Sequence, residues 1–264
     1  MARVLVTGCS SGFGRASCME LKKRGHEVIA TARRLDTLAD VDADERLALD
    51  ITDDASVSAT VEAVGRIDAL VNNAGISVGG PVEAVPMAEV RRLFETNVFG
   101  TLRMIQAVVP QMRARRSGVV VNLSSVNGKV AQPLAGFYAA SKHALEALSE
   151  ALYFEVGHFG VRTVVIEPGY FRTSLSDNRR EYAVDGPPYD ELRALTMALA
   201  DKVGRAAAPG PEAVAAVVAD AIESPDTPLR VPVGTDAELV LRARAELDDV
   251  AFEATMRAML DGEW

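Results

Sequence analysis

The sequence predicts an α/β fold: a doubly wound, parallel, seven-stranded sheet with helices on both faces. Two observations lead there. Short β-rich apolar runs alternate with longer stretches of helical period, the pattern of βαβ units on a parallel sheet. No internal repeat and no long linker interrupts that alternation, so residues 1–264 read as a single domain. The strands are expected near Val4–Val6, Val28–Thr31, Arg46–Leu49, Ala69–Asn72, Val119–Leu123, Val161–Ile166 and Leu229–Val231. Between them the helical period predicts helices near Arg15–Arg24, Ala55–Val64, Met87–Arg115, Gly136–Gly157 and Glu212–Glu223. Right-handed crossovers then put helices on both faces, and a ligand crevice is expected at the carboxyl ends of the strands, where the first meets the fourth. The stretch from Ser174 to Pro211 departs from the pattern, with polar and Pro/Gly-rich pieces around one helical segment near Tyr189–Lys202. An insertion of that size beside the crevice reads as a lid, or as a plain surface excursion. Residues 237–260 read as a terminal helical region broken near Asp248.

Composition narrows the function classes. Apolar residues make up 48% and charged residues 25%, ordinary for a globular protein. The net charge of −9, with no basic block, gives no footing for nucleic acid or an anionic membrane. No run of 18 apolar residues occurs, and the amino terminus enters a strand without the layout of a secretion signal. Two cysteines make no disulfide framework and three scattered histidines lack metal-ligand spacing. The expectation is a reduced, cytoplasmic, metal-free protein.

Two motifs carry chemistry. In Thr7-Gly8-Cys9-Ser10-Ser11-Gly12-Phe13-Gly14 a buried strand ends and a helix opens. Gly8 suits a tight turn, Gly12 lets backbone approach a pyrophosphate, and Gly14 lets helix and strand pack closely. The helix start then offers free N–H groups and a positive dipole end to an anion. The second motif is Tyr138 followed by Lys142, one turn apart on one helix face. A phenol, with a reference pKa of about 10, is a poor base near neutrality, and a close ammonium favours its ionised form.

Thr7-Gly8-x-x-x-Gly12-x-Gly14, Asn72-Asn73-Ala74-Gly75, Asn97, Ser125, Tyr138-x-x-x-Lys142 and Pro168-Gly169 together resemble, in order and spacing, the short-chain dehydrogenase/reductase family. The resemblance spans roughly residues 3–175 and implies a Rossmann-type fold and hydride transfer between a nicotinamide cofactor and a small-molecule carbonyl or alcohol. It implies Tyr138 as general acid/base, with Ser125 orienting the substrate oxygen; Ser124 competes for that place, and spacing favours Ser125. Lys142 is implied to lower the phenol's pKa and to grip the nicotinamide ribose. Asn97 is implied to bend its helix and hold a water that links Lys142 to solvent; a local bond within the helix explains it as well. Ser10, Ser11, Phe13, Asn73, Ala74 and Gly75 fall to the cofactor-binding set, with Asp50 and Ile51 beside the adenine. Asp53 reads equally as a helix cap. Pro168, Gly169 and Thr173 are implied to lie along the nicotinamide carboxamide, although Pro-Gly is also a common strand-ending turn.

Charge speaks to cofactor choice. Ala32 stands where an NAD-preferring relative carries a carboxylate, and Arg33 and Arg34 follow it. A guanidinium can fork around a 2′-phosphate, so NADP(H) is expected over NAD(H). The alternatives are a catalytically silent NADP(H)-binding sensor and an epimerase or dehydratase on the same fold. The first usually loses Ser, Tyr or Lys, all present here. The second generally carries a larger substrate domain than the roughly 90 residues beyond Pro168-Gly169. By resemblance the chain is expected to form a homodimer or homotetramer, and Tyr170, Phe171, Tyr182 and Tyr189 are candidates for lining an apolar pocket.

Overall fold

Alternating strands and helices build the computed structural model, which describes residues 1–184, 188–202 and 208–260. The first strand, β1 (Arg3–Val6), is fully buried at Val4, Leu5 and Val6, so its side chains feed both faces of a sheet. Val4 and Val6 enter a core with α1 (Gly12–Lys23), while Leu5 enters the opposite core. Next come β2 (Glu27–Ala32), β3 (Glu45–Ala48), α2 (Asp54–Val64) and β4 (Ala69–Asn72). Two short pieces follow, β5 (Val78–Gly79) and α3 (Met87–Phe94), then α4 (Thr101–Ala114), β6 (Gly118–Leu123), α5 (Gly136–Gly157) and β7 (Val161–Pro168). The remainder holds α6 (Ser174–Asp177), β8 (Arg180–Glu181), α7 (Asp190–Lys202), α8 (Glu212–Glu223), β9 (Arg230–Val233), α9 (Thr235–Glu246) and α10 (Asp249–Leu260).

Seven strands form one sheet in the order β3-β2-β1-β4-β6-β7-β9, and every neighbouring pair is parallel. Helices α1 and α8 cover one face; α2, α4 and α5 cover the other. The order reverses between β1 and β4, which is where a doubly wound sheet opens its ligand crevice. Asp53 settles its own two readings: its carboxylate accepts from Ala55 N and Ser56 N, both at 3.2 Å, and so caps α2. Asp53→Ala is expected to cost about 1 kcal/mol of stability, measured by urea unfolding.

The helix expected over Met87–Arg115 is a correction. A π-helical segment at Glu95–Gly100 separates α3 from α4. The break leaves no mark in the apolar period because the same face stays buried on both sides of it, through Leu93, Val98 and Met104. The pairing of β5 with β8 has no counterpart in the sequence pattern, since two residues are too few to show a period. The lid expected over 174–211 holds α6, β8 and α7, and its residues 185–187 and 203–207 lie outside the described set. The break near Asp248 is present, with Leu247 in extended conformation between α9 and α10.

Candidate active site

Thr7 and Asn73 tie the ends of β1 and β4 together at the crevice. Asn73 N and Ala74 N both donate to Thr7 Oγ1, at 3.0 and 3.1 Å. The Asn73 amide donates to Thr7 O and Gly8 O at 2.8 and 3.0 Å. This brace holds the glycine turn against β4: a Cβ on Gly8, at φ +74°, would stand 2.8 Å from Ala74 Cα. Gly8→Ala is therefore expected to weaken both folding and dinucleotide binding, read by thermal unfolding and by nucleotide fluorescence titration. Gly12, at φ +57°, faces Thr173, whose Cβ would lie 3.4 Å from an added methyl group. The turn and the segment after β7 thus meet across the crevice. Phe13 stacks edge-on with buried Phe171 at 5.6 Å between ring centroids. At the start of α1, Ser11 makes no side-chain cap and the first turn holds no acidic residue. Those N–H groups are left for an anion.

Ser125, Tyr138 and Lys142 come together from β6 and α5, and all three are buried. Ser125 lies beside the Tyr138 phenol and favours its ionised form, and its Oγ accepts from Asn127 N at 3.1 Å. The Ser124 hydroxyl turns instead toward Gly128, where an added Cβ would stand 2.6 Å from its Oγ. Lys142 Nζ lies 5.9 Å from the Tyr138 ring centroid and donates to Leu123 O at 2.7 Å.

The electrostatics differ from the sequence expectation. Burial pushes the phenol up to about 12, while Ser125 and the charge of Arg179 pull it down by less. Burial drives Lys142 down to about 8, opposed by the negative charge of Glu146. Desolvation outweighs the pairing: the ammonium is directed at a backbone carbonyl, and the groups that ease ionisation of the phenol are Ser125 and Arg179. Arg179 is a residue that spacing missed. Its guanidinium donates to Leu134 O at 2.8 Å and pairs with Glu181 at 2.6 Å, across Gly79. Tyr182 N bonds Gly79 O at 2.9 Å, and its ring packs with Leu175 against the cluster that holds Tyr138.

Asn97 sits inside the π segment, 1% exposed. Its Oδ1 accepts from Ile76 N at 2.9 Å, and its amide donates to Ile76 O at 3.0 Å and Ser141 Oγ at 3.1 Å. Ser141 in turn donates to Tyr138 O at 2.7 Å. One amide hydrogen goes to Ile76 and the other to Ser141 on α5, so the side chain ties the π segment to the stretch after β4 and to α5.

At the far end of the crevice, Ala32 is buried and Arg33 and Arg34 are exposed. Arg34 pairs with Asp36, Nε to Oδ1 at 3.1 Å, whereas Arg33 has no ion pair among the described residues. Asp50 spends Oδ1 on Thr52 N and Oγ1, at 2.9 and 2.7 Å. The Ile51 side chain is buried against Gly100. Gly169 is pressed against Asp236, whose carboxylate accepts from Tyr170 N at 2.7 Å. Tyr189, half-buried, bonds Glu83 through its hydroxyl at 2.8 Å.

The family profile described as short chain dehydrogenase matches residues 2–183. The chain belongs to the short-chain dehydrogenase/reductase family. Among its relatives, this family member is 33% identical over 261 residues to a 3-ketodihydrosphingosine reductase of Bacteroides thetaiotaomicron, covering 96% of each chain. A short-chain dehydrogenase from Streptomyces avermitilis superposes with a TM-score of 0.84 at 39% identity, covering 98% of this chain and 97% of that one. One from Burkholderia cenocepacia, solved with NADP, has a TM-score of 0.79 at 26% identity and covers 99% and 98%. One from Burkholderia phymatum, solved with NAD, has a TM-score of 0.77 at 26% identity and covers 96% and 95%. This short-chain dehydrogenase/reductase is an oxidoreductase by family. Among the described residues no helix is long and apolar enough to cross a membrane, and no cluster of three or more His, Cys, Asp or Glu is placed to hold a metal.

Proposed function

We propose that this short-chain dehydrogenase/reductase interconverts a small-molecule carbonyl and its alcohol with NADP(H), using Tyr138 as general acid/base. The observation that carries the reading is the convergence of Ser125 on a buried Tyr138, one helical turn from Lys142, beside a glycine turn whose helix start is uncapped. That turn fits a dinucleotide: Gly8 and Gly12 hold left-handed conformations beside close neighbours, and free N–H groups at α1 suit a pyrophosphate.

The residues assigned to the dinucleotide are Gly8, Ser10, Ser11, Gly12, Phe13 and Gly14 for its phosphates. Arg33, with Arg34 behind it, takes the 2′-phosphate, and Asp50 and Ile51 lie beside the adenine. Asn73, Ala74, Gly75, Tyr138, Lys142, Pro168, Gly169 and Thr173 take the nicotinamide half. When bound, the nicotinamide supplies or accepts a hydride at the carbonyl carbon. Tyr138 gives its phenolic proton to the carbonyl oxygen in reduction and takes it back in oxidation. Ser125 donates to that oxygen and holds it beside the phenol. Lys142 places positive charge next to the ribose and the reacting oxygen, and Asn97 holds α5 so that these groups stay in line.

The pH dependence follows from the burial of Tyr138. With its phenol near 12, Tyr138 carries its proton throughout the neutral range, the form that reduction requires. Alcohol oxidation needs the phenolate, so its kcat/KM is expected to rise by about tenfold per pH unit from neutrality, while reduction stays flat until Lys142 titrates near 8. Steady-state rates in both directions across pH check this.

The reading is tested by following NADPH absorbance with a panel of ketones and aldehydes. Turnover supports it. Tight dinucleotide binding without turnover of any carbonyl would mark a cofactor sensor instead. The exposed Phe99, Tyr153 and Phe154 beside α4 and α5 further support pairing of copies there, as a homodimer or homotetramer, which light scattering would report.

A further inference from the structure

Cys9, in the glycine turn, and Cys18, on α1, lie in one core and are both 0% exposed. They are free thiols whose sulfurs stand 3.4 Å apart, the Cys18 thiol donating to Cys9 Sγ. The Cys9 thiol donates in turn to Val6 O at 3.1 Å. The chain has two cysteines, so no third thiol competes for either sulfur. A disulfide bond is about 2.0 Å long, so closing this contact asks for roughly 1.4 Å of approach.

The turn has no slack for that approach. Cys9 N is held by Thr31 O at 2.8 Å, and a Cβ on Gly8 would stand 2.8 Å from Ala74 Cα. Gly8 O is packed against the start of α1, 2.5 Å from where a Cβ on Gly14 would stand. Drawing Cys9 toward Cys18 therefore displaces the backbone N–H groups that the turn and the helix start offer to an anion. Burial, and then the hydrogen bond from Cys18, push the Cys9 thiol up, so Cys9 keeps its proton while enclosed.

We propose that Cys9 and Cys18 form a modification site for hydrogen peroxide, which joins them in a disulfide that disturbs the glycine turn and weakens dinucleotide binding. The turn opens where Ser10 already meets solvent. Cys9 then loses its proton to water, and the thiolate attacks one peroxide oxygen. The O–O bond breaks, a sulfenic acid forms at Cys9, and the departing oxygen leaves as water with the proton that Cys9 gave up. The Cys18 sulfur next attacks the Cys9 sulfur: the S–S bond forms, the S–O bond breaks, and a second water carries off the Cys18 proton. Two thiols give up two electrons, and one peroxide becomes two waters. With its partner already in contact, the sulfenic acid closes to the disulfide before further oxidation. Bound dinucleotide covers the turn and holds it shut. The cross-link stands on the thiol contact alone; its effect on affinity rests on the proposed dinucleotide reading.

Intact mass and peptide mapping of the folded protein after peroxide treatment test the cross-link. A loss of about 2 Da is expected, carried by a linked Cys9–Cys18 peptide, reversed by dithiothreitol and slowed by saturating NADP+. NADPH affinity, from fluorescence titration, is expected to fall about tenfold in the oxidised protein and to recover on reduction. Cys18→Ala is expected to lose both the linked peptide and the change in affinity. No mass loss, added oxygen at Cys9 without a linked peptide, or a cross-link that forms only in urea overturns the modification site. A cross-link that leaves NADPH affinity unchanged, or an affinity change that survives Cys18→Ala, overturns the disturbance of the turn. If the reduced protein binds no dinucleotide, the functional reading fails by itself, and the mass still decides the thiol pair.

Discussion

Tyr138→Phe is expected to lower kcat for carbonyl reduction by about a thousandfold while leaving NADPH affinity unchanged. The substitution removes one oxygen from a side chain that is otherwise packed with Val78, Val90 and Leu93, so the fold has little reason to respond. On the proposed mechanism, what is lost is the proton donor at the substrate oxygen. Ser125 remains, and residual turnover is expected from its donation to the carbonyl. The measurement is single-turnover reduction beside a nucleotide titration of the same preparation. Full activity in Tyr138→Phe would overturn the mechanism. Lost nucleotide binding together with lost activity would point to a damaged site rather than a missing acid.

Arg33→Ala is expected to weaken NADPH binding by about tenfold and to leave NADH binding unchanged. The argument rests on which of two neighbouring arginines is free. Arg34 is held by Asp36, whereas Arg33 has no ion pair among the described residues and directly follows a buried alanine that cannot repel a phosphate. Arg34→Ala, losing a charge already compensated, should have the smaller effect. Equal catalytic efficiency with NADH and NADPH in the unaltered protein would remove the basis for the preference.

Most of the sheet was legible because β1, β4, β6 and β7 are buried on both faces and carry the apolar runs Val4–Val6, Ala69–Val71, Val119–Val121 and Val164–Ile166. Strand boundaries fell within a residue or two of the expected ones, as with β3 at Glu45–Ala48 against Arg46–Leu49. The Tyr138–Lys142 face was legible from helical spacing, and the same spacing continued one turn further would have reached Glu146. Other features had no sequence signal. A π-helical turn changes hydrogen bonding without changing composition, so Glu95–Gly100 looked like ordinary helix. The charge of Arg179 acts on the phenol from a distant segment held by a two-residue ladder, which leaves no period to detect. The dominance of burial over the ammonium at Tyr138 depends on three-dimensional enclosure and on where Nζ points.

The ladder between β5 and β8 makes the register of β8 matter. Arg179 and Glu181 lie across Gly79, while Arg180 reaches outward to Glu89 at 2.7 Å. Side chains alternate along an extended chain, so a one-residue slip of β8 against β5 would turn Arg180 inward and cast Arg179 toward solvent. The two-residue register of this ladder is therefore what keeps the Arg179 charge on the Tyr138 side.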